Sequence, residues 1–165
     1  RQLLPQLERG EKSRMVWVSS GGMYTRKLST ARLKRPADPF DGVKAYADTK
    51  RGMVVLSELL AERLKTRGIA VHCMHPGWAD TPGVQNSIPG FWKRTQHILR
   101  SSEEGADTVL WLAVCDKAHD KPGLFWFDRM PRSTHLLGWT RSSSAKREAF
   151  FREVQEWAGL GSDAF

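Results

Sequence analysis

The sequence predicts an α/β fold built on a parallel sheet with helices on both faces, three of whose strands are visible. Three observations predict it. Short unbroken apolar runs such as Met15-Val16-Trp17-Val18 have the pattern of strands buried on both faces. A long segment, Lys44 to Arg67, carries Met53, Leu56, Leu60 and Leu64 at spacings of three and four. The two kinds of segment alternate along the chain, which calls for right-handed crossovers and hence for parallel strands.

In chain order, Leu3, Leu4 and Leu7 recur at helical spacing and Gly10 follows, so residues 1–9 predict the end of a helix with a glycine stop. Met15 to Val18 is the first strand and runs into Ser19-Ser20-Gly21-Gly22. From Thr25 to Gly42 the chain holds Arg26, Lys27, Arg32, Lys34, Arg35, Pro36 and Pro39, the composition of a solvated basic loop. Contact with a membrane surface is the lesser reading of that charge. The segment from Lys44 is the strongest helix, stopped by Gly68. Ile69 to Met74 is the second strand, ended by Pro76-Gly77, and Gly123 to Phe127 is the third.

Between these two strands lie an irregular stretch over 76–90, a short helix from Phe91, and a helix from about Ser102 to Cys115. Glu103 and Glu104 suit the positive end of that last helix's dipole. A final helix, about Ser143 to Ala158, sets Phe150, Val154 and Trp157 on one face. Three parallel strands alone would leave an apolar edge unpaired, so residues 1–165 are expected to form one partial domain, the carboxyl-terminal half of a doubly wound sheet.

Composition bounds the function. With 165 residues, 40% of them hydrophobic and 27% charged, the chain can bury one modest core. No window approaches the ~18 apolar residues of a membrane helix, and the first residues lack the apolar core of a signal peptide. Cys73 and Cys115 have no metal-ligand spacing and sit in apolar segments, which predicts reduced thiols and a cytoplasmic setting. The net charge of +8 allows an anionic partner, be it nucleic acid, lipid headgroup or phosphorylated cofactor, and does not choose among them. No helix-turn-helix, finger or RNA-binding signature is present, so nucleic acid is not expected.

The chemistry lies in an ordered set of residues. Ser20 ends the first strand, Tyr46 and Lys50 belong to Y-A-D-T-K early in the long helix, and Pro76, Gly77 and Thr81 form P-G-x-x-x-T after the second strand. Ligands of parallel sheets bind at the carboxyl ends of the strands, where all three fall. Four residues apart on a helix, Tyr46 and Lys50 share a face. A phenol ordinarily ionises near ~10, and an ammonium beside it stabilises the phenolate, which makes a usable acid/base. A serine hydroxyl nearby can orient a substrate oxygen. His72 and His75, three apart on a strand, point to opposite faces and argue against a shared metal. His97, His119 and His135 are scattered and receive no role.

V-S-S-G-G, Y-x-x-x-K and H-P-G-x-x-x-T, in this order on strand, helix and strand, resemble the short-chain dehydrogenase/reductase family. The resemblance implies a Rossmann-like fold and an NAD- or NADP-dependent oxidoreductase that interconverts a carbonyl and an alcohol. It implies catalytic roles for Ser20, Tyr46 and Lys50, and cofactor contacts for Tyr46, Lys50, Pro76, Gly77 and Thr81. Trp78, Ile88, Phe91 and Trp92 fall where the family places its substrate-covering segment, so the resemblance implies an apolar substrate held by Ser20, Trp78 and Trp92. It also implies pairing of two copies through the tyrosine helix. H-P-G-W-A-D-T-P-G-V, E-G-A-D-T-V-L-W-L-A and F-D-R-x-P-R-S-T-H-L narrow the likeness to one group within the family.

The family's T-G-x-x-x-G-x-G loop, the residue that selects NAD or NADP, and the asparagine of its catalytic set have no counterpart in this sequence. The expectation is therefore that the amino-terminal, cofactor-binding half of the fold is missing. The alternative is an inactive scaffold whose basic surface binds a protein or nucleic acid.

Overall fold

The computed structural model describes residues 2–35, 38–161 and 165. Arg1 of the first helix and Pro36 of the basic loop lie outside the described residues. In chain order the elements are α1 (Leu4–Arg9), β1 (Arg14–Val18), α2 (Thr30–Lys34), α3 (Gly42–Leu64), β2 (Ala70–Met74), α4 (Pro82–Ser87), α5 (Pro89–Thr95), α6 (Ser102–Val114), α7 (Asp116–His119), β3 (Phe125–Phe127), β4 (Met130–Arg132) and α8 (Ser144–Trp157). The sheet runs β1-β2-β3-β4, with β1, β2 and β3 parallel and β4 antiparallel to β3.

Period-two alternation sorts the strands between two helical layers. Val71 and Cys73 of β2, with Trp17 of β1 and Phe125 of β3, pack under Val54, Leu60 and Leu64 of α3. Met74, Val16 and Trp126 face the other way, onto Leu112 of α6. The buried face of α8, Phe150 and Phe151, closes over α3, where a Cβ on Gly52 would come within 3.1 Å of the Phe150 ring. All five residues of β2 are buried, as a central strand requires. Of the described helices, none is long and apolar enough to cross a membrane.

α3 begins at Asp41, whose carboxylate accepts the Lys44 amide at 3.0 Å, and ends through a turn of 3-10 helix at Gly68, left-handed at φ +71°. Its inner face is wider than the leucine stripe predicts, because Ala47, Asp48 and Arg51 are buried too.

Four expectations are corrected. First, β1 is not buried on both faces: it is the edge of the described sheet, its residues are only partly covered, and Val18 is 42% exposed. Second, the sheet has a fourth strand. β3 and β4 are joined by Asp128 and Arg129, both left-handed (φ +53° and +57°), a two-residue turn whose twist matches the strands but which usually announces itself with Asn-Gly or Asp-Gly. Third, the basic loop is not merely solvated, since Leu28 is buried in the core and Arg26 and Arg32 grip Asp48. Fourth, the stretch over 76–90 contains α4, capped by the Thr81 hydroxyl with Pro82 in its first turn, and α5 starts at Pro89 rather than Phe91. α6 starts at Ser102 as expected, capped by Ser101 in a reciprocal box with Glu104.

Candidate active site

The tip of β1 separates two adjacent serines. Ser19 is buried, and its hydroxyl donates to the Lys50 carbonyl at 3.0 Å, binding the strand to α3. Ser20 turns outward and caps the following 3-10 turn, its hydroxyl oxygen accepting the Gly22 amide at 3.3 Å. The Ser20 proton remains available to an acceptor. Gly22 lies between Ser20 and α3: a Cβ there would sit 3.7 Å from Ser20 Oγ and 3.6 Å from Ala47 Cβ, the residue after Tyr46.

Tyr46 stands in the second turn of α3, 51% exposed, its hydroxyl without a partner among the described residues. One turn on, Lys50 extends its ammonium over the Tyr46 ring, 5.4 Å from the centroid, and donates to the Val18 carbonyl at 2.9 Å. That bond fixes the cation at the tip of β1 while leaving two of its three donors for a ligand. The structure thus brings Ser20, Tyr46 and Lys50 to one end of β1.

The tip of β2 continues into His75, Pro76 and Gly77. His75 stacks on Phe127 at 4.2 Å between centroids and accepts the Gly77 amide on Nδ1 at 3.2 Å, which leaves the ring proton on Nε2. Burial holds its imidazole below the usual range. Its ring also lies 3.9 Å from where a Gly21 Cβ would be, so the β2 tip adjoins the β1 tip. Gly77 is left-handed at φ +81°, and a Cβ there would meet the Arg100 guanidinium at 3.1 Å. The positive φ is what calls for glycine, and the close Arg100 side chain adds to it.

Arg100 carries no sequence motif, yet it closes this corner. Its guanidinium lies over the Phe127 ring at 4.7 Å and forms two bonds to the Asp128 carboxylate, one of them 2.7 Å, tying the segment before α6 to the β3–β4 turn. Arg129 grips Asp107 from the other side of the turn. In the sequence this clamp shows only as F-D-R, inside one of the stretches that carry the family resemblance, and nothing local in it announces a contact.

Other candidates separate. The Thr81 hydroxyl accepts the Val84 amide at 3.4 Å as a helix cap. Trp92 uses its indole N–H on Asp80 at 2.8 Å. Trp78 is half exposed and tilted against Phe91 at 4.5 Å. Neither tryptophan has a described contact with Ser20, Tyr46 or Lys50. His72 is fully buried, accepts the Trp126 indole N–H at 3.3 Å, and burial pushes its pKa down to about 4, the profile of a core residue. Burial pushes the Cys73 thiol up to about 12 and so keeps it inert. Among the described residues no group of acids, cysteines and histidines could hold a metal.

A nicotinamide cofactor fits these residues in part. The free donors of Lys50, the exposed Tyr46 phenol and the backbone at Gly77 suit the nicotinamide-ribose end. No glycine-rich turn that could cradle a pyrophosphate occurs in the sequence.

Fold and site together define a doubly wound α/β domain with a serine, tyrosine and lysine gathered at the carboxyl edge of its sheet. No family model matches the chain. It is 47% identical over 157 residues to human dehydrogenase/reductase SDR family member 12, covering 93% of this chain and 48% of that protein. The bovine counterpart is 46% identical over 160 residues, 94% of this chain and 49% of that protein. A solved short chain dehydrogenase from Salmonella enterica serovar Typhi matches in fold, with TM-score 0.55 and 21% identity over 75% of this chain and 44% of that one. The chain belongs to the short-chain dehydrogenase/reductase family. Member 12 is the group to which the three finer stretches narrowed the likeness, and the chain spans about half the length of these curated relatives.

Proposed function

We propose that the protein acts as an NAD- or NADP-dependent oxidoreductase, interconverting a carbonyl and an alcohol on an apolar substrate. The observation that carries this reading is the Lys50 ammonium, tied to the Val18 carbonyl at the tip of β1 while standing over the Tyr46 ring. A cation held there places positive charge beside the phenol of an exposed second-turn tyrosine, the arrangement an acid/base tyrosine uses. In the reductive direction Ser20 donates a hydrogen bond to the carbonyl oxygen and Tyr46 delivers the proton to it. The nicotinamide supplies the hydride when bound. Lys50 keeps two donors for the ribose hydroxyls, and Gly77 lets backbone approach the ring. Half-exposed Trp78 and partly buried Phe91 form an aromatic pair on the segment after Gly77, suited to an apolar substrate.

The test is a nicotinamide absorbance assay on the whole protein with NADH or NADPH and aldehydes of increasing chain length. Substrate-dependent oxidation of at least one cofactor is expected, with preference for the longer aldehydes. Trp78→Ala should raise KM for the longest about tenfold, the effect of losing ~1.4 kcal/mol of apolar contact, and leave the shortest unaffected. Trp92→Ala should change KM less, because that indole is bound to Asp80. If neither cofactor is oxidised with any carbonyl, the oxidoreductase reading is wrong.

A further inference from the structure

On another face of α3, five residues and about 140° round from Tyr46, Arg51 opens into a cavity unrelated to the cluster at the strand tips. The cavity holds about 210 Å³, well beyond the ~30 Å³ share of one water, and its lining includes Arg51, Glu58, Arg141, Ser142 and Arg147. Its floor is closed by buried residues, Leu28, Val55 and Thr140 among them, while Arg141 and Arg147 stand at the rim.

Three polar atoms in this lining are buried and have no hydrogen-bond partner among the described residues: Arg51 Nη2, Arg147 Nε and Ser142 Oγ. Arg51 is 1% exposed, so its unused donor cannot turn to bulk solvent. Its other donors are committed to backbone, Nε to the Met23 and Arg26 carbonyls and Nη1 to the Thr134 carbonyl. A buried guanidinium with a free N–H is costly unless something accepts from it.

All three orphan atoms can donate, and two of them cannot accept, so their complement is a group made of acceptors. Charge agrees. Arg51, Arg141 and Arg147 face one acid, Glu58, whose carboxylate is already bonded by Arg147 Nη2 at 2.9 Å. The His135 ring, also in the lining, is turned to the Thr140 hydroxyl at 2.7 Å. The first turn of α8 holds Lys146 and Arg147 and no acid, the reverse of what a helix dipole favours, and an anion beside it would offset that. The donors come from α3, from the segment before α8 and from α8 itself, directions that suit the several oxygens of a tetrahedral anion.

We infer that this cavity binds a phosphate group, free or carried on a larger molecule, through Arg51, Ser142 and Arg147, with Arg141 at the rim. The site is independent of the oxidoreductase reading. Arg51 is poorly suited to mutation because it holds three backbone carbonyls in two segments. Arg141→Gln removes a rim charge, and Ser142→Ala removes a hydroxyl that bonds nothing described, so both variants should fold as the parent does.

The experiment titrates the protein with inorganic phosphate and, separately, glycerol 3-phosphate at constant ionic strength, following Tm and the phosphorus resonance. A saturable rise in Tm is expected, with Kd at least tenfold weaker in each variant and Tm in chloride unchanged. Tighter binding of glycerol 3-phosphate assigns the site to a phosphoryl group on a larger molecule, and tighter binding of inorganic phosphate to the free ion. A rise no greater than chloride gives, or one that both variants leave intact, overturns the inference.

Discussion

On the proposed oxidoreductase reading, replacing Tyr46 with phenylalanine is expected to lower kcat of the whole protein by about 10²–10⁴-fold, the range a positioned proton donor contributes, and to leave cofactor affinity nearly unchanged. The substitution takes away one oxygen. The ring stays beneath the Lys50 ammonium, and the bond from that ammonium to the Val18 carbonyl involves no tyrosine atom. Lys50 therefore keeps its place and its two remaining donors. Stability should not fall, because Tyr46 is half exposed and its hydroxyl is bonded to nothing among the described residues. Measuring Tm beside kcat separates the two effects, since a chemical role predicts lost turnover at unchanged Tm. Turnover retained in Tyr46→Phe would remove the tyrosine from proton transfer, whatever else the site does.

Why the cluster was legible and its surroundings were not has a physical basis. Tyr46 and Lys50 lie on one helix, where spacing alone sets which side chains share a face, and Ser20 ends an apolar run whose direction is plain. The choice between Ser19 and Ser20 is not local. It depends on the Ser19 hydroxyl meeting the Lys50 carbonyl across a gap of 31 residues.

The same limit hides β4: its turn residues Asp128 and Arg129 adopt left-handed backbone without a glycine, held by ion pairs to Arg100 and Asp107 from distant segments. α4 is a different case. Thr81-Pro82 is a sound start signal for a helix, and reading Thr81 as part of P-G-x-x-x-T masks it. Two-face burial of β1 fails because an apolar run shows that a strand can be covered and does not show by what.

The basic loop shows most clearly what composition misses, and it sets the largest stability effect expected. Asp48 is 5% exposed, and both of its oxygens are bonded by two guanidiniums, Arg26 and Arg32, at 2.8–2.9 Å. Burial alone would raise the pKa of this carboxyl, but the hydrogen bonds and charges of the two arginines outweigh that and hold it below the ordinary value. Asp48→Asn keeps the shape and leaves two cations without their counter-charge. Breaking a buried pair costs about 3–5 kcal/mol, and because Arg26 and Arg32 keep 21% and 41% of their side-chain surface the lower end applies, about 3 kcal/mol. In a domain of this size that is a fall in Tm of roughly 6–12 °C.

The effect has a definite pH dependence. A carboxyl whose folded pKa is depressed contributes stability that is complete above its unfolded pKa near ~3.9 and is lost as pH falls toward the folded value. The gap between parent and Asp48→Asn should therefore be constant at neutral pH and close in acid. Thermal melts from pH 7 to 3 measure it. A gap that is small at pH 7, or that does not narrow below pH 4, would mean the two arginines are held by solvent and not by Asp48. In that case the segment between β1 and α3 would be anchored instead by buried Met23 and Leu28, by the Tyr24 bond to the Ser133 carbonyl and by the Arg51 bonds to the Met23 and Arg26 carbonyls.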